Sequence, residues 1–154
     1  MAERSNGRAT WTASGRPLVA GSARGIALVL DEPLSFWGGV DPGSGAIIDR
    51  RHPQAGDSVA GRILVLTAGR GSSSSSSVLA EALHAGTGPA AILLLEPDEI
   101  IVVGALVVEM LDGRATPVIQ LDARDHRRLR TGDEVVVDGH GRLAVTSPSA
   151  GSAP

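Results

Sequence analysis

The sequence predicts one mixed α/β domain, and three observations indicate it. Two strand-like segments, Ile63–Leu66 and residues 89–95, are fully apolar, which is typical of a sheet covered on both faces. Each is followed by a helix-like segment, which predicts a βαβαβ order in the middle of the chain. Near the C-terminus, Glu134–Val137 and Arg142–Thr146 flank Asp-Gly-His-Gly and read as a β-hairpin. A compact mixed domain follows from this order.

Composition excludes several kinds of site. The 154 residues fit one domain, which at that length buries roughly 70% of its unfolded surface. The net charge of −3 argues against a nucleic-acid groove. The chain has no cysteine, so it cannot itself hold an iron–sulfur cluster, a thiolate zinc site or a disulfide. We expect it to bind no metal.

Neither a signal segment nor a membrane span is expected. The N-terminus is polar, and the most apolar run, residues 100–111, is too short to cross a bilayer. We therefore expect a cytoplasmic protein with neither a membrane nor a nucleic-acid partner.

The two ends of the chain are predicted to be disordered tails. Residues 1–16 are small, polar and non-periodic apart from Trp11, and residues 147–154 contain only Ser, Pro, Ala and Gly. The folded domain is then residues 17–146. It is expected to begin with short strands at residues 18–21 and 25–30.

A glycine-rich loop at residues 33–45 holds an adjacent aromatic pair, Phe36 and Trp37. Such a pair either seals the loop onto the core or anchors a protein interface. Asp41 precedes Pro42 and is expected to cap a turn, with a partner contact as its other role. A strand at residues 46–49 and a polar connection at residues 50–57 follow, in which His52 is expected to be a solvated loop residue.

Residues 62–86 combine a buried strand, the turn Gly69-Arg70-Gly71, a run of six serines and a helix at residues 78–85 closed by Gly86. A helix that starts at such a turn points its first N–H groups and the positive end of its dipole at one spot, which is an anion site. The other interpretation is that the serines form a flexible linker.

The second half continues with a helix at residues 98–111 that starts with proline and acids, as the helix dipole prefers. This helix is apolar nearly all round, so it is either central in the fold or covered by another subunit. A strand at residues 116–121 leads to Asp122, the expected cap of a helix at residues 123–130. Its basic side chains are expected to form a solvated face; they are Arg124, His126, Arg127, Arg128 and Arg130.

The chain resembles the small subunit, or swivel domain, of the aconitase X family. The resemblance rests on the nonapeptide Leu-Ser-Phe-Trp-Gly-Gly-Val-Asp-Pro at residues 34–42, on residues 56–66, on Gly-Arg-Gly-Ser-Ser at residues 69–73 and on Thr-Gly-Asp at residues 131–133. It covers residues 18–145. It implies a swivelling β/β/α domain like that of aconitase, and a dehydratase activity.

The same resemblance implies roles for individual residues. The family's catalytic base is a serine that matches Ser72. Gly71, Ser73 and Ser74 would supply backbone donors to the substrate or the serine alkoxide, and Arg70 would add positive charge. Phe36, Trp37 and Asp41 would then lie at an interface with the large subunit.

The resemblance also implies a large-subunit partner that carries the iron–sulfur cluster, so this chain alone would be inactive. We expect a small-molecule substrate, cis-3-hydroxy-L-proline, with mevalonate 5-phosphate as the alternative. Two hypotheses of another class are a non-catalytic interaction domain and a stand-alone small-anion binding module.

Overall fold

The computed structural model of the protein describes residues 4–5 and 8–148. The strands of this part, in chain order, are β1 (Arg4–Ser5), β2 (Arg8–Ser14), β3 (Arg16–Val19), β4 (Ala23–Val29), β5 (Ile63–Leu66), β6 (Ala91–Leu94), β7 (Val118–Gln120), β8 (Glu134–Val137) and β9 (Arg142–Thr146). The helices are α1 (Phe36–Gly39), α2 (Ser74–Ala85), α3 (Glu99–Asp112) and α4 (Ala123–Arg128).

The strands are hydrogen-bonded in the order β1-β2-β9-β8-β4-β5-β6-β7-β3. Strands β4 to β7 pair in parallel, and all other pairs are antiparallel. Strand β4 belongs to both halves, because residues 23–26 pair with β8 and residues 27–29 pair with β5. The pairing in the sheet therefore changes from antiparallel to parallel in the middle of β4.

Alternate side chains of the parallel strands enter two separate cores. Leu64 and Leu66 pack in one core with Leu79 of α2. Ile63 and Val65 point the other way and share a core with residues of β2, β8 and β9, such as Val145. The layers are therefore β/β/α, and this packing confirms the predicted mixed α/β fold class and its β/β/α architecture.

Helices α2 and α3 lie side by side on one face, because each connects neighbouring parallel strands in the same direction across the sheet. They approach closely at Gly104, where an added Cβ would lie 3.0 Å from the Ser76 carbonyl oxygen. Both helices start at the carboxyl ends of their strands, β5 and β6. That edge of a parallel sheet is where ligand sites of open α/β folds usually lie.

The prediction of a disordered N-terminal tail is wrong for residues 8–16. Strand β2 pairs along its length with β9, from Thr10 opposite Thr146 to Ser14 opposite Arg142. Trp11 packs against the β-layer core, and the Arg128 guanidinium lies 4.0 Å from its ring centroid. Residues 8–14 are mostly small and polar, so they carry little periodicity of their own; they become a strand because β9 offers a free edge.

The C-terminal prediction is corrected in part. Ser147 donates its N–H to the carbonyl oxygen of Ala9 at 2.9 Å and so extends the β2–β9 pairing. Residues 149–154, like residues 1–3 and 6–7, lie outside the described part of the chain.

Three other predictions need correction. Residues 46–49 form no strand but two isolated bridges, Val40 to Ile47 and Ala46 to Ser58. The helix expected at residues 78–85 begins at Ser74, within the serine run. Helix α4 ends at Arg128. Its Arg124 and Arg127 are exposed as predicted, but His126 is half-buried, with its Nε2 3.1 Å from the Leu66 carbonyl oxygen. The C-terminal hairpin is confirmed.

Candidate functional site

The connection from β5 to α2 is a tight turn that depends on glycine. Gly71 has φ +109°, a conformation that residues with a Cβ rarely adopt. A Cβ on Gly71 would also lie 2.5 Å from Ser35 Oγ and 3.2 Å from Ser75 Oγ. The turn is therefore pressed between the loop before α1 and the first turn of α2.

The first turn of α2 is left without a side-chain cap. Ser73 already has helical dihedral angles (φ −55°, ψ −22°), and no side chain of the described residues accepts a hydrogen bond as a cap at this end. The first bonds are tight, from Ser75 N to Ser72 O at 3.0 Å and from Ser76 N to Ser73 O at 3.1 Å. None of the described residues accepts a hydrogen bond from the N–H groups of residues 71–74. These donors and the positive end of the helix dipole therefore face outward.

Ser72 lies at this helix entrance. Its side chain is exposed, and no hydrogen bond holds its hydroxyl within the described part of the chain. Ser73 and Ser74 are exposed beside it, and Arg70 is exposed in the preceding turn, with no ion-pair or hydrogen-bond partner for its guanidinium among the described residues. Arg70, Gly71, Ser72, Ser73 and Ser74 are thus all exposed at the start of α2, and their roles in binding and catalysis stay predictions.

The rest of the serine run is helical, and the hydroxyls of Ser75 and Ser76 are held by hydrogen bonds, so the linker interpretation is wrong. Ser75 is only 3% exposed; its hydroxyl lies 3.2 Å from Ser35 Oγ and accepts a hydrogen bond from Trp37 N at 3.3 Å. Ser76 donates to the Ile100 carbonyl oxygen of α3 at 2.7 Å. These bonds hold the helix start against two neighbouring segments. Sequence reasoning missed Ser35 and Ser75, because nothing local distinguishes them from their neighbours.

Phe36 and Trp37 have different environments: Phe36 seals the loop onto the core, and Trp37 lies on the surface. Phe36 is buried within its own domain, so the prediction that it contacts a partner is wrong. Trp37 is 63% exposed and remains available for an interface. The separation arises because α1 is a single distorted turn, with Trp37 at ψ 118° and Gly38 at φ +73°. These angles resemble a type II turn, which needs glycine at its third residue.

Asp41 caps the turn that follows it, which is the first of its two predicted roles. Its carboxylate accepts hydrogen bonds from Gly43 N at 3.0 Å and Ser44 Oγ at 2.9 Å. The hydrogen bond from Gly43 N, and to a lesser extent the one from Ser44 Oγ, lower the pKa of Asp41 below its usual value. A partner contact of Asp41 stays a prediction.

A polar cavity of about 180 Å³ lies beside the turn. Arg70 and Ser35 line it together with Arg51 and His52. His52 is buried rather than solvated, because its Nε2 lies 3.0 Å from the Glu32 carbonyl oxygen and its Nδ1 lies 3.0 Å from Gln54 N. His52 thus ties the connection at residues 50–57 to the loop that carries Ser35.

Among the described residues, no three His, Asp or Glu side chains are grouped closely enough to hold a metal ion. No helix in this part of the chain has both the length and the apolar character needed to cross a membrane.

Residues 12–145 match the family model of the aconitase X swivel domain. A cis-3-hydroxy-L-proline dehydratase of Pseudomonas aeruginosa is 54% identical over 109 residues, which are 71% of this chain and 19% of that protein. The chain therefore spans about a fifth of the length of this curated relative.

Smaller relatives match along most of their length. A phosphomevalonate dehydratase small subunit of Methanothermobacter thermautotrophicus is 43% identical over 99 residues, which are 63% of this chain and 76% of that subunit. The crystal structure of Thermococcus kodakaraensis aconitase X in its holo-form superposes with a TM-score of 0.77 at 34% identity, covering 87% of this chain and 97% of the matched one. By sequence and by fold, the chain belongs to the aconitase X swivel-domain family.

Proposed function

We propose that this chain is the small subunit of an aconitase X-type dehydratase, a hydro-lyase, and that Ser72 is its catalytic base. The observation that carries the proposal is the open helix entrance, where an unbonded serine hydroxyl lies among unpaired backbone donors. The family supports the reaction class, because its named relatives are dehydratases. Elimination of water needs a base that removes a proton from carbon and an acid that helps the hydroxyl on the neighbouring carbon to leave.

A serine needs help to act as a base, because its alkoxide is inaccessible in water at neutral pH. The N–H groups of Gly71, Ser73 and Ser74 and the helix dipole stabilise negative charge on Ser72 Oγ or on the substrate. Arg70 adds a cation on the same surface. Closure of the site by a partner excludes water and strengthens all of these interactions.

The acid side of the reaction is assigned to a partner. This chain has no cysteine, so an iron–sulfur cluster would be held by a large subunit. A cluster iron there would supply the Lewis acid for the leaving hydroxyl. The proposed complex is cytoplasmic, with its site at the subunit interface, where Trp37 is exposed.

We assign cis-3-hydroxy-L-proline as the substrate, because the relative with that name has the higher identity, 54% against 43%. Mevalonate 5-phosphate is the second candidate. It is favoured by a different observation: the phosphomevalonate dehydratase relatives include separate small subunits whose length this chain largely covers.

The test is an anaerobic dehydration assay of the reconstituted two-subunit complex on both substrates. Ser72→Ala is expected to lower turnover by about 10²- to 10⁴-fold, the usual contribution of a general base. Ser77→Ala is the control, because Ser77 is another exposed serine of the same run, one helical turn further on. Complex formation by both variants is checked by size-exclusion chromatography.

Each outcome has a distinct meaning. Turnover of one substrate that collapses only in Ser72→Ala supports the proposal and names the substrate. Full activity of Ser72→Ala would move the base to another residue. Failure of a cluster-loaded wild-type complex to dehydrate either compound would favour the non-catalytic or anion-binding alternatives.

A further inference from the structure

Helix α3 exposes an apolar stripe on the side away from the sheet. Its inner side is buried against the rest of the domain through residues such as Ile101, Ala105 and Val108. Its outer side carries large apolar residues at helical spacing, and together they form what we name the α3 stripe. Its members, with their exposed fractions, are Val103 (48%), Leu106 (41%), Val107 (38%), Met110 (84%) and Leu111 (77%).

A solvent-facing helix normally carries polar residues on its outer side, so a helix that is apolar on both sides is covered on both. A contiguous exposed apolar surface of this kind marks an interaction site more often than chance. Both observations indicate that the α3 stripe is buried in the working protein.

The α3 stripe is continuous with the candidate site. A groove of about 410 Å³ runs between α2 and α3; Ser73 and Ser77 line it on one side, and Val103 and Val107 on the other. Ser73 is the residue after Ser72. A partner chain that covers the start of α2 would therefore also lie next to the α3 stripe.

Charge decides against a second copy of this chain as the occupant. The acids of the two helices are Glu81, Glu99, Glu109 and Asp112, and their only basic residue is His84. His84, and Arg114 just after α3, both form ion pairs with Asp112, at 2.8 and 3.0 Å. Neither is therefore available to pair with an acid of a second copy. A two-fold pair through this face would bring the remaining acids, Glu81, Glu99 and Glu109, close to their own copies. This face is complementary to an apolar ridge with basic residues around it.

We propose that the α3 stripe is a docking surface for the large subunit, the same partner that completes the Ser72 site. The inference rests on the proposed function for the existence of that partner. It is consistent with the Pseudomonas aeruginosa relative, in which the matching segment is 19% of a single longer chain. The interface then extends from Trp37 and the helix entrance along α3.

The test compares two matched substitutions in the full chain, Val107→Glu on the α3 stripe and Val136→Glu on β8 in the opposite β layer. Both valines are similarly exposed, at 38% and 42%. The probe is an aconitase X-type large subunit purified under anaerobic conditions, and its affinity for each variant is measured by titration. Met110→Glu is a second variant on the stripe, because a residue 84% exposed tolerates charge without unfolding the domain.

We expect Val107→Glu and Met110→Glu to weaken large-subunit binding by about tenfold or more, as for central interface residues, and Val136→Glu to change it by less than about twofold. Equal binding by all three variants would overturn the inference. So would sedimentation data in which the stripe variants abolish self-association but leave large-subunit binding intact, or a wild-type chain that does not bind the large subunit.

Failure of this inference is distinguishable from failure of the proposed function. If Ser72→Ala abolishes turnover while Val107→Glu still binds normally, the function stands and the docking surface does not. If Val107→Glu releases the large subunit but the wild-type complex has no dehydratase activity, the docking surface stands and the function does not.

Discussion

Helices α2 and α3 start in the same way in the chain but end up with opposite environments at their N-termini. Each follows a buried parallel strand, and the two pack side by side on the same face of the sheet. Asp98 caps α3: its Oδ1 accepts hydrogen bonds from Ile100 N at 2.9 Å and Ile101 N at 3.1 Å. No side chain in the described part of the chain does this for α2. One helix satisfies its own donors, and the other leaves them open.

The difference separates a structural helix start from a functional one. An uncapped start forgoes about 1 kcal/mol of helix stability. In α2 the loss is offset by tertiary bonds one residue into the helix, where Ser75 binds Ser35 and Trp37. The helix is thus held in place from the side, while its end stays free to meet a ligand. The predictions below test this contrast, from the largest expected effect to the smallest.

Gly71→Ala should damage the open helix start most. The φ of +109° strains a residue with a Cβ by about 1–3 kcal/mol, and the new methyl group meets Ser35 Oγ at 2.5 Å. Urea unfolding should show this loss, and dehydration turnover should fall with it. Gly86→Ala is the control, because Gly86 also has positive φ (+81°) but nothing lies within 4 Å of its added Cβ. Equal losses in the two variants would mean that Ser35 does not hold the turn.

Asp98→Ala should damage the closed helix start, and it also removes a carboxylate that packs against Gly69 in the turn before α2. Loss of the cap is expected to cost about 0.5–2 kcal/mol of unfolding free energy, with turnover of the reconstituted complex unchanged within about threefold. Asp122→Ala at α4 removes a cap that holds only one donor, Asp125 N at 2.8 Å, and should cost less. A large loss of turnover in Asp98→Ala would show that the two helix starts are coupled.

Ser74→Asp should close the open start artificially. A carboxylate in the first turn of a helix is expected to stabilise the fold by about 0.3–1 kcal/mol. It should also lower turnover by about tenfold or more, because it places negative charge where the proposed anion forms. Ser77→Asp, one turn deeper in the helix, should have a smaller effect on both. Unchanged turnover in Ser74→Asp would argue that the helix start meets no ligand.

The smallest effect is expected at the opposite ends of the same helices. The hydrogen bond from His84, and to a lesser extent the one from Arg114, lower the pKa of Asp112 below its ordinary 3.8. Because the carboxyl group is ionised more readily in the folded state, this stabilisation is present above about pH 4 and is lost as pH falls through the lowered pKa. Unfolding free energy measured between pH 6 and pH 2.5 should fall less steeply in Asp112→Asn. Identical slopes would show that the ion pair does not stabilise the fold.

Much of this molecule can be read from the sequence because burial within one element has a local pattern. The apolar runs predicted β5 and β6, the acids and proline predicted the start of α3, and Gly86 predicted the end of α2. The position of Ser72 at a helix entrance followed from its place after a strand and a glycine turn. The all-round apolar character of α3 was also visible, although not what covers it.

Only the tertiary structure decided which side chains are held and which are free. Ser75 and its partner Ser35 lie 40 residues apart, and β2 becomes a strand only beside β9, more than a hundred residues away in the chain. Phe36 and Trp37 are neighbours, yet one is 1% and the other 63% exposed, because a distorted turn separates them. Local patterns record what one element buries. Contacts between distant segments depend on how the elements pack, and that packing leaves the N-terminus of α2 open.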